Sequence, residues 1–355
     1  MVCKEKVLFV HHHSLECISG VNIILSELFR LIPSINTSIE VVYLSLDKYS
    51  SSHELLDSIH KVHKEISCLI GANLHIENNW ELAVKMLDYY YKINKPLYIY
   101  IHDYWPHHCD QVKFLIDKFG ARLLSSSQYI RNLLTIDGFE SELAQVGMSL
   151  NNIELGSIIP HRSPASKKII ASSGRIVQRK RFLDIIRAFS YESLYETSIL
   201  YLRVLASHVH SSDDDEAELN KLREEINADD MVKNSIVIDQ NLEEKHNYSK
   251  YDIYVCASSY EGFSLTPIES AYSGCPPIIS DIPPHQDIAK VVFKDRFSDF
   301  IYPVYDYKKL GQLLKDEIYS ARRQKYLDLN KNQIQRTIES EFSLMSAAKT
   351  IASLV

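Results

Sequence analysis

The sequence predicts an α/β protein with parallel sheets, helices on both sheet faces, and two domains. Short apolar runs rich in β-branched residues alternate with amphipathic stretches along the chain, as in strand–helix–strand units. A chain of 355 residues is long for one hydrophobic core and suits two. Near residue 160 a segment rich in Pro and Ser interrupts the periodicity, and we expect the domain boundary there.

The N-terminal half contains five predicted strands with helical patterns between them. The strands are expected at residues 7–10, 41–46, 73–76, 97–102 and 122–125, and helices at 22–31 and 129–134. Ligands of open α/β sheets gather at the carboxyl ends of strands. His102 stands at such an end and is therefore a candidate site residue.

The C-terminal half repeats the same alternation. We predict a strand at 168–172, a helix at 182–191, and further strands at 251–256 and before Ser280. Phe342 and Ser343 precede a terminal helix. The predicted organisation is a first domain at 1–156, a linker at 157–166, a second domain at 167–340 and a C-terminal helix at 341–355.

A helix-start pattern follows the strand at 251–256. Thr266 suits an N-cap, Pro267 the first helical position, and Glu269 the third position of a capping box, so a helix is expected from Thr266 or Pro267. The preceding residues 262–265 would then present free backbone N–H groups at the positive end of that helix. This arrangement predicts an anion site, with phosphate as the expected ligand.

Two carboxylates flank this expected anion site, Glu261 before the helix and Glu269 in its first turn. Carboxylates repel phosphate and so do not belong directly beside it. They fit such a site if each one binds neutral hydroxyl groups, one carboxylate on each side of the diphosphate. A nucleotide sugar has that layout, because a sugar diol and a ribose diol lie on opposite sides of its diphosphate. The alternative is that Glu269 only completes the capping box.

Composition narrows the classes of partner. A net charge of -7 disfavours nucleic acid as the main partner. No apolar run reaches the length of a membrane span, and the N-terminus enters a strand without a signal-peptide pattern. The six cysteines lack metal-ligand spacing and are interpreted as free thiols in a reducing cytoplasm.

Two clusters suggest a metal at first sight. His102, His107, His108, Cys109 and Asp110 lie close in sequence, but they lack helical i, i+4 pairing and fixed Cys/His spacing. The acidic run at 211–216 is better explained as a solvated loop and helix start. The triplet His11, His12 and His13 follows a strand, and we interpret it as a loop that lines a ligand-binding cleft. No metal or other cofactor is expected.

The stretch Glu261-Gly-Phe-Ser-Leu-Thr-Pro-Ile-Glu269, followed by Gly274-Cys-Pro-Pro-Ile278, resembles the Glu-x7-Glu signature of family 4 of the retaining GT-B glycosyltransferases. The resemblance implies two Rossmann-like, doubly wound parallel-sheet domains that face a cleft. It implies an acceptor-side N-terminal domain and a C-terminal domain that binds the nucleotide sugar. It extends over nearly the whole chain, with its strongest part between 170 and 285.

The resemblance also implies residue roles. Glu261 would contact the transferred sugar, His102 would face that sugar, and Arg175 with Lys180 would clamp the diphosphate in a Gly-Arg-x4-Lys pattern. Glu269 would hold the ribose diol. The remaining donor-binding positions are the backbone around the anion site, the glycine-pair position of the first loop and the base-binding segment: Gly262, Phe263, Ser264, Leu265, Thr266, Ser19, Gly20, Asn241 and Leu242.

We therefore expect a retaining, metal-independent hexosyltransferase that moves a sugar from a UDP or GDP type donor to a hydroxyl of a glycan or lipid-linked acceptor. Such an enzyme serves glycan, glycolipid or polysaccharide assembly in the cytoplasm, and the lysines of the N-terminal half allow weak peripheral contact with the inner face of a membrane. Two alternatives stay open, a sugar-nucleotide 2-epimerase of related fold and a non-catalytic sugar-nucleotide-binding subunit. Ser19 and Arg181, which stand where the family usually has glycine, keep the latter open.

Overall fold

A computed structural model describes residues 4–15, 20–62, 65–76, 79–149, 166–205, 213–240 and 247–355. The chain divides into two compact units. The first comprises Met1–Gly147 and Phe342–Val355, and the second comprises Met148–Glu341. The predicted linker at 157–166 lies outside the described residues except for Ser166.

The first unit contains a six-stranded parallel sheet. Its strands are β1 (Glu5–His11), β2 (Ile39–Ser45), β3 (Ile66–Ala72), β4 (Leu97–Ile101), β5 (Arg122–Ser125) and β6 (Ser141–Leu143). Its helices include α1 (Gly20–Ile35), α2 (Ser52–Val62), α3 (Trp80–Lys92), α4 (Cys109–Phe119) and α5 (Gln128–Ile136). The strand order is β2-β1-β3-β4-β5-β6, so the chain reverses its direction of winding between β1 and β3.

The second unit contains another six-stranded parallel sheet. Its strands are β7 (Lys168–Arg175), β8 (Ser198–Leu205), β9 (Ile236–Asp239), β10 (Ile253–Cys256), β11 (Pro277–Ser280) and β12 (Ile301–Tyr302). Its helices are α6 (Phe182–Tyr191), α7 (Asp213–Asn227), α8 (Asp230–Lys233), α9 (Leu265–Tyr272), α10 (Pro283–Phe293), α11 (Tyr307–Ser320) and α12 (Arg322–Glu341). The order β12-β11-β10-β7-β8-β9 is that of the doubly wound dinucleotide-binding fold, with its switch point between β7 and β10.

The last helix, α13 (Leu344–Ala352), belongs to the first unit, where it packs against α1. Ser343 caps it by accepting a hydrogen bond from the Met345 N–H. Among the described residues, no helix is both long and apolar enough to cross a membrane.

Each unit has its own hydrophobic core. In the first, strand residues such as Leu8 and Ile99 pack with helix residues such as Leu87. In the second, α6 turns one face inward, because its apolar residues recur at helical spacing: Phe182, Ile185, Ile186 and Phe189. The central strands are buried on both faces, as parallel strands between two helical layers must be.

The predicted fold class, α/β with doubly wound parallel sheets, is confirmed, and some predicted elements are wrong. The strand expected at 73–76 lies instead at Ile66–Ala72, and the chain leaves it at Asn73, which has a left-handed φ of 53°. Asparagine tolerates that conformation, so Asn73 ends the strand. Strands β6 and β8 were not predicted.

Candidate donor-binding site and histidine cluster

The carboxyl ends of β7 and β10 lie side by side at the switch point of the second unit. The two strands are parallel neighbours, with Ile170 opposite Ile253 and Ala171 opposite Tyr254. β7 ends at Arg175 and leads to a 3₁₀ turn at Gln178–Lys180, while β10 leads to the loop that carries Glu261. This is the place where open α/β sheets bind their ligands.

Lys180 and Glu261 form the centre of this site. The Lys180 Nζ lies 2.5 Å from Glu261 Oε1, and the Ser258 hydroxyl donates to the same oxygen at 2.6 Å. Glu261 is buried, with 7% of its surface exposed. A buried carboxylate requires such partners, since desolvation otherwise penalises its charge.

The neighbouring cations keep Glu261 ionised. Burial alone would raise its pKa, but the charges of Lys180 and Arg179 outweigh burial and lower the pKa to about 2. Glu261 therefore carries a negative charge at every pH near neutrality. Glu261 is thus a buried anion paired with two cations, Lys180 and Arg179.

Gly174 permits the approach of Lys180. Its φ of +154° is a conformation that side-chain-bearing residues rarely adopt, and a Cβ there would lie 3.3 Å from the Lys180 Cε. The lysine side chain thus passes over the glycine on its way to Glu261. This explains why the Gly-Arg-x4-Lys spacing places a lysine in the site.

Arg179 is a site residue that the sequence did not predict. Its Nη1 lies 3.3 Å from Glu261 Oε2 and donates to the Tyr260 carbonyl at 3.2 Å. The Arg179 carbonyl in turn accepts the Ser259 N–H at 2.8 Å. The predicted partner of Lys180, Arg175, is the last residue of β7 and is half-buried.

Arg181 stands where the family that the sequence resembles usually has glycine, and its backbone adopts a conformation that glycine favours. Its φ is 54°, in the left-handed region, immediately before α6. Its guanidinium donates to both carboxylate oxygens of Asp184 at 2.9 Å and lies over the ring of Tyr305. The Arg181 charge is therefore directed to Asp184.

The helix after Glu261 begins earlier than predicted. α9 starts at Leu265, with Ser264 at the N-cap position and no side-chain capping bond. Thr266 is therefore not the cap, and the capping box predicted for Thr266 and Glu269 is wrong. An α-helix has no internal acceptor for the N–H groups of its first turn, so the start of α9 retains the character of an anion site.

Glu269 is held by a tyrosine instead. The Tyr248 hydroxyl donates to Glu269 Oε2 at 2.6 Å. Burial raises the pKa of Glu269, and the hydrogen bond from Tyr248 opposes that rise. Nothing in the sequence around 248 indicates this contact, because it depends on the packing of the turn Tyr248–Lys250 against α9.

A buried cysteine–histidine pair lies between β10 and α10, next to the start of α9. The His285 Nδ1 donates to the Ser280 carbonyl at 2.9 Å, and its Nε2 lies 3.6 Å from the Cys256 Sγ. The same sulfur contacts the hydroxyls of Ser258 and Ser264. These contacts tie β10, α10 and the first residues of α9 together.

In the first unit, buried histidines collect at the carboxyl ends of β1, β3 and β4. His102 follows β4, its ring lies 4.2 Å from that of Tyr100, and its backbone N–H donates to Asn73 Oδ1 at 2.8 Å. Burial, followed by the neighbouring His11 and His75, lowers the pKa of His102 to about 3. The histidine cluster comprises His11, His12, His75, His102 and His108.

The hydrogen bonds of the histidine cluster define two tautomers. His12 Nε2 faces the Asn73 carbonyl at 3.1 Å, and His75 Nε2 faces the Asp103 carbonyl at 2.8 Å. A carbonyl only accepts, so each ring carries its proton on Nε2 and leaves Nδ1 as a bare acceptor. Burial lowers the pKa values of His12 and His75 to about 4 and about 3, which keeps both rings neutral.

The other predicted site residues are distributed as follows. Gly20 is exposed at the first position of α1, in the first unit, and a Cβ there would meet no atom within 4 Å. Gly262, Phe263, Leu265 and Thr266 lie in the second unit beside Glu261 and Glu269. Ser19, Asn241 and Leu242 fall outside the described residues.

The alternative metal cluster has no counterpart in the part of the chain that the structure describes. There, no three His, Cys, Asp or Glu side chains come together as a group that could hold a metal ion. His107 and His108 lie in the 3₁₀ turn Pro106–His108, with their ring centroids 4.3 Å apart, and Cys109 begins α4.

Two doubly wound parallel sheets, each in its own unit, define the GT-B class of glycosyltransferase folds. The family model for glycosyl transferases group 1 matches residues 158–336, about half of the chain. The chain belongs to this family and is a glycosyltransferase.

Solved structures of glycosyltransferases share the fold over the whole chain. Sucrose-phosphate synthase from Thermosynechococcus elongatus has a TM-score of 0.74 at 14% identity, covering 99% of this chain and 98% of its own. HepE from Anabaena, in complex with UDP and glucose, has a TM-score of 0.72 at 13% identity, with 99% of both chains covered. The catalytic domain of starch synthase IV from Arabidopsis thaliana, bound to ADP and acarbose, has a TM-score of 0.69 at 10% identity, with 99% and 98% covered. No curated protein sequence matches the chain.

Proposed function

We propose that this chain is a retaining glycosyltransferase of the family 4 type, which moves a sugar from a UDP or GDP type donor to a hydroxyl acceptor. The observation that carries the proposal is the Lys180–Glu261 ion pair, buried at the switch point and followed within a few residues by the start of α9. A cation and a helix N-terminus suit a diphosphate, and a carboxylate suits sugar hydroxyls.

In this mechanism the negative charge of the leaving diphosphate is stabilised by fixed cations. Lys180 and Arg175 provide the positive charge, and the N–H groups at the start of α9 bind phosphate oxygens. Glu261 and His102 orient the transferred sugar. The leaving phosphate accepts the proton of the acceptor hydroxyl on the face from which it departs, so configuration is retained and no separate base is required.

Glu269 holds the ribose diol in this proposal. Its carboxylate accepts hydrogen bonds, and a diol supplies two donors. The HepE and starch synthase IV complexes contain UDP and ADP, which supports a nucleoside diphosphate as the ligand class.

The reaction proceeds without a metal ion in this proposal, because Lys180 and Arg175 take the role of a divalent cation at the diphosphate. The test is transfer from a radiolabelled donor before and after treatment with EDTA. Unchanged rates support the proposal. Loss of activity that Mg²⁺ or Mn²⁺ restores would contradict it.

We place the reaction in the cytoplasm, with a glycan or a lipid-linked acceptor. Cys68, Cys109, Cys256 and Cys275 are free thiols, which suits a reducing compartment. Weak contact with the inner face of a membrane would use the lysine-bearing α4, where Lys118 lies over the half-exposed ring of Phe114. Co-sedimentation with anionic vesicles tests this contact, and recovery of all protein in the supernatant would contradict it.

The decisive experiment joins binding and product analysis. A thermal-shift screen against UDP, GDP, ADP and CMP sugars identifies the donor, since a bound ligand raises the melting temperature by mass action. The product of the best donor is then analysed by NMR for its anomeric configuration. Inversion would refute the retaining mechanism, and formation of a 2-epimer without an acceptor would identify an epimerase instead.

A further inference from the structure

Tyr248 is fixed in place on three sides. It is fully buried, at 1% exposure, and begins the turn Tyr248–Lys250. Asn247 caps this turn by accepting the Ser249 N–H at 3.1 Å. The ring of Tyr248 packs edge to face against Tyr254 at a centroid distance of 5.2 Å. Its hydroxyl therefore has one well-defined position, from which it donates to Glu269 Oε2.

A neighbouring tyrosine is built into the same region with a different partner. The Tyr254 hydroxyl lies 2.7 Å from the Ser173 hydroxyl and accepts the Ser173 N–H at 3.2 Å. It thus attaches β10 to β7, close to Gly174. Tyr254 also forms a side-chain hydrogen bond with Thr266 of α9, so the ring that packs against Tyr248 is itself held in place.

We propose that Tyr248 is a positioning residue for nucleotide recognition: it holds one oxygen of Glu269 and so directs the other, Oε1, toward the ribose hydroxyls. The inference rests on the proposed function, in which Glu269 binds ribose. A carboxylate oriented for two hydroxyl donors discriminates against a ligand that lacks one, because the buried acceptor then stays unpaired. The site therefore prefers a ribonucleoside diphosphate to its 2′-deoxy counterpart.

The charge of Glu269 gives a second, independent readout. Two groups interact with the Glu269 carboxylate: Tyr248 of the turn donates a hydrogen bond to it, and Tyr254 of β10 interacts with its charge. On the side of α12, the carboxylate of Glu339 accepts a hydrogen bond from Tyr272, which lies three residues after Glu269 in α9. Burial favours the protonated carboxyl and the Tyr248 hydrogen bond favours the ionised one. Loss of that bond raises the pKa of Glu269, so ribose recognition would fail at a higher pH than in the wild type.

The experiment compares Tyr248→Phe with the matched control Tyr104→Phe, which removes another buried hydroxyl that donates to a carboxylate, that of Asp137 at 2.6 Å in the first unit. Binding of UDP and 2′-deoxy-UDP, and of GDP and 2′-deoxy-GDP in parallel, is measured by calorimetry between pH 5.5 and 8.5. We expect Tyr248→Phe to weaken binding of the ribonucleotide about tenfold, as loss of one hydrogen bond to a charged group does, and to leave the deoxynucleotide nearly unchanged. The acidic limb of ribonucleotide binding should move to higher pH.

The control separates orientation from general loss of packing. Tyr104→Phe also removes a buried hydroxyl and is expected to lower the melting temperature, yet it should leave the ribose-to-deoxyribose ratio and the acidic limb in place. In transfer assays, Tyr248→Phe should raise the donor KM about tenfold with kcat changed by less than about twofold, because a ribose contact is the same in the ground and transition states.

Three outcomes distinguish failure of this inference from failure of the proposed function. If Glu269→Ala abolishes the discrimination and Tyr248→Phe retains it, Tyr248 does not position Glu269. If Glu269→Ala itself binds both nucleotides as the wild type does, the ribose role of Glu269 in the proposed function is wrong. If the wild type binds neither UDP nor GDP, the donor type in the proposed function is wrong.

Discussion

The Lys180 ammonium lies 2.5 Å from the Glu261 carboxylate, although 81 positions separate the two residues in the chain. The pair exists because β7 and β10 are neighbours in the sheet, so that the segments following them meet at one edge. A diphosphate that binds here competes with Glu261 for the same cation. In the proposed mechanism, Lys180 therefore links recognition of the sugar to stabilisation of the leaving group.

Replacement of Lys180 by alanine should lower the rate of sugar transfer about a hundredfold or more, because a fixed cation at the developing charge is lost. The measurement is kcat/KM with a radiolabelled donor. Lys168→Ala is a matched control, since Lys168 also pairs with a carboxylate of this unit, Asp252, but at the opposite end of β7. Transfer at the wild-type rate by the Lys180 variant would rule out the proposed role.

Replacement of Glu261 by glutamine should separate binding from turnover. The neutral amide no longer competes for Lys180 and no longer repels phosphate, so UDP or GDP is expected to bind several-fold more tightly. Sugar transfer should nevertheless fall about a hundredfold, since the sugar loses its orienting carboxylate. Calorimetry and initial rates on the same preparation test both parts.

Glu192→Gln is the matched control for the glutamine variant, because Glu192 pairs with Lys315 away from the switch point. It should change neither quantity. Weaker binding of the nucleoside diphosphate by Glu261→Gln would contradict competition between carboxylate and phosphate.

The sequence predicted the architecture and the Lys180–Glu261 centre of the site in the second unit, because both follow from the geometry of a parallel sheet. Glu261 and Lys180 each follow a strand directly, and the strand ends of a parallel sheet meet at one edge. Arg179 was not predicted, because a run of three basic residues such as Arg179-Lys-Arg181 is equally typical of a solvated surface. Its contact with Glu261 depends on the turn at Gln178–Lys180, which no local pattern specifies.

The histidine cluster was found only in part, for a similar reason. His102 stands after a clear strand, whereas the wrong placement of the strand at 73–76 hid His75 and Asn73. The run Ile66–Ala72 has the apolar character of a buried strand and could have revealed them. The tautomers of His12 and His75, by contrast, depend on carbonyl positions that only the folded backbone supplies.

The histidine cluster should make the protein sensitive to mild acid. The unfolded rings take up protons near their ordinary pKa of 6.5, while burial lowers the pKa values of the folded His12 and His102 to about 4 and about 3. The neutral buried rings therefore make their full contribution to the free energy of unfolding above pH 6.5. That contribution falls as the pH drops toward these lower pKa values. Each ring contributes a loss of about 1.4 kcal/mol per pH unit in that window.

Thermal denaturation between pH 8 and pH 5 measures this loss, in a range where most carboxylates stay ionised. His12→Asn should reduce the slope with pH, since one titrating ring is removed, whereas His60→Asn on the exposed face of α2 serves as the control. A melting temperature that does not change from pH 8 to pH 5 would contradict burial of neutral imidazoles.

Gly147 is the point at which the C-terminal segment joins the first unit. A Cβ at this position would lie 2.0 Å from the Phe342 carbonyl oxygen and 2.3 Å from its carbon, and a backbone cannot yield as a side chain does. Gly147→Ala should therefore displace Phe342 and the helix α13 behind it, whose residues Leu344 and Ile351 are buried. We expect a loss of about 3 kcal/mol or more in the free energy of unfolding.

Gly138→Ala is the control for this substitution, because Gly138 has a positive φ of 85° but open space around it, so its replacement should cost only about 1 kcal/mol of backbone strain. Denaturant unfolding compares the two variants, and limited proteolysis reports whether the segment after Phe342 becomes accessible in Gly147→Ala. Equal stability of the two variants would mean that the segment does not depend on close contact with Gly147. Selective cleavage after Phe342 would show that this glycine is required because a carbonyl occupies the space of its missing side chain.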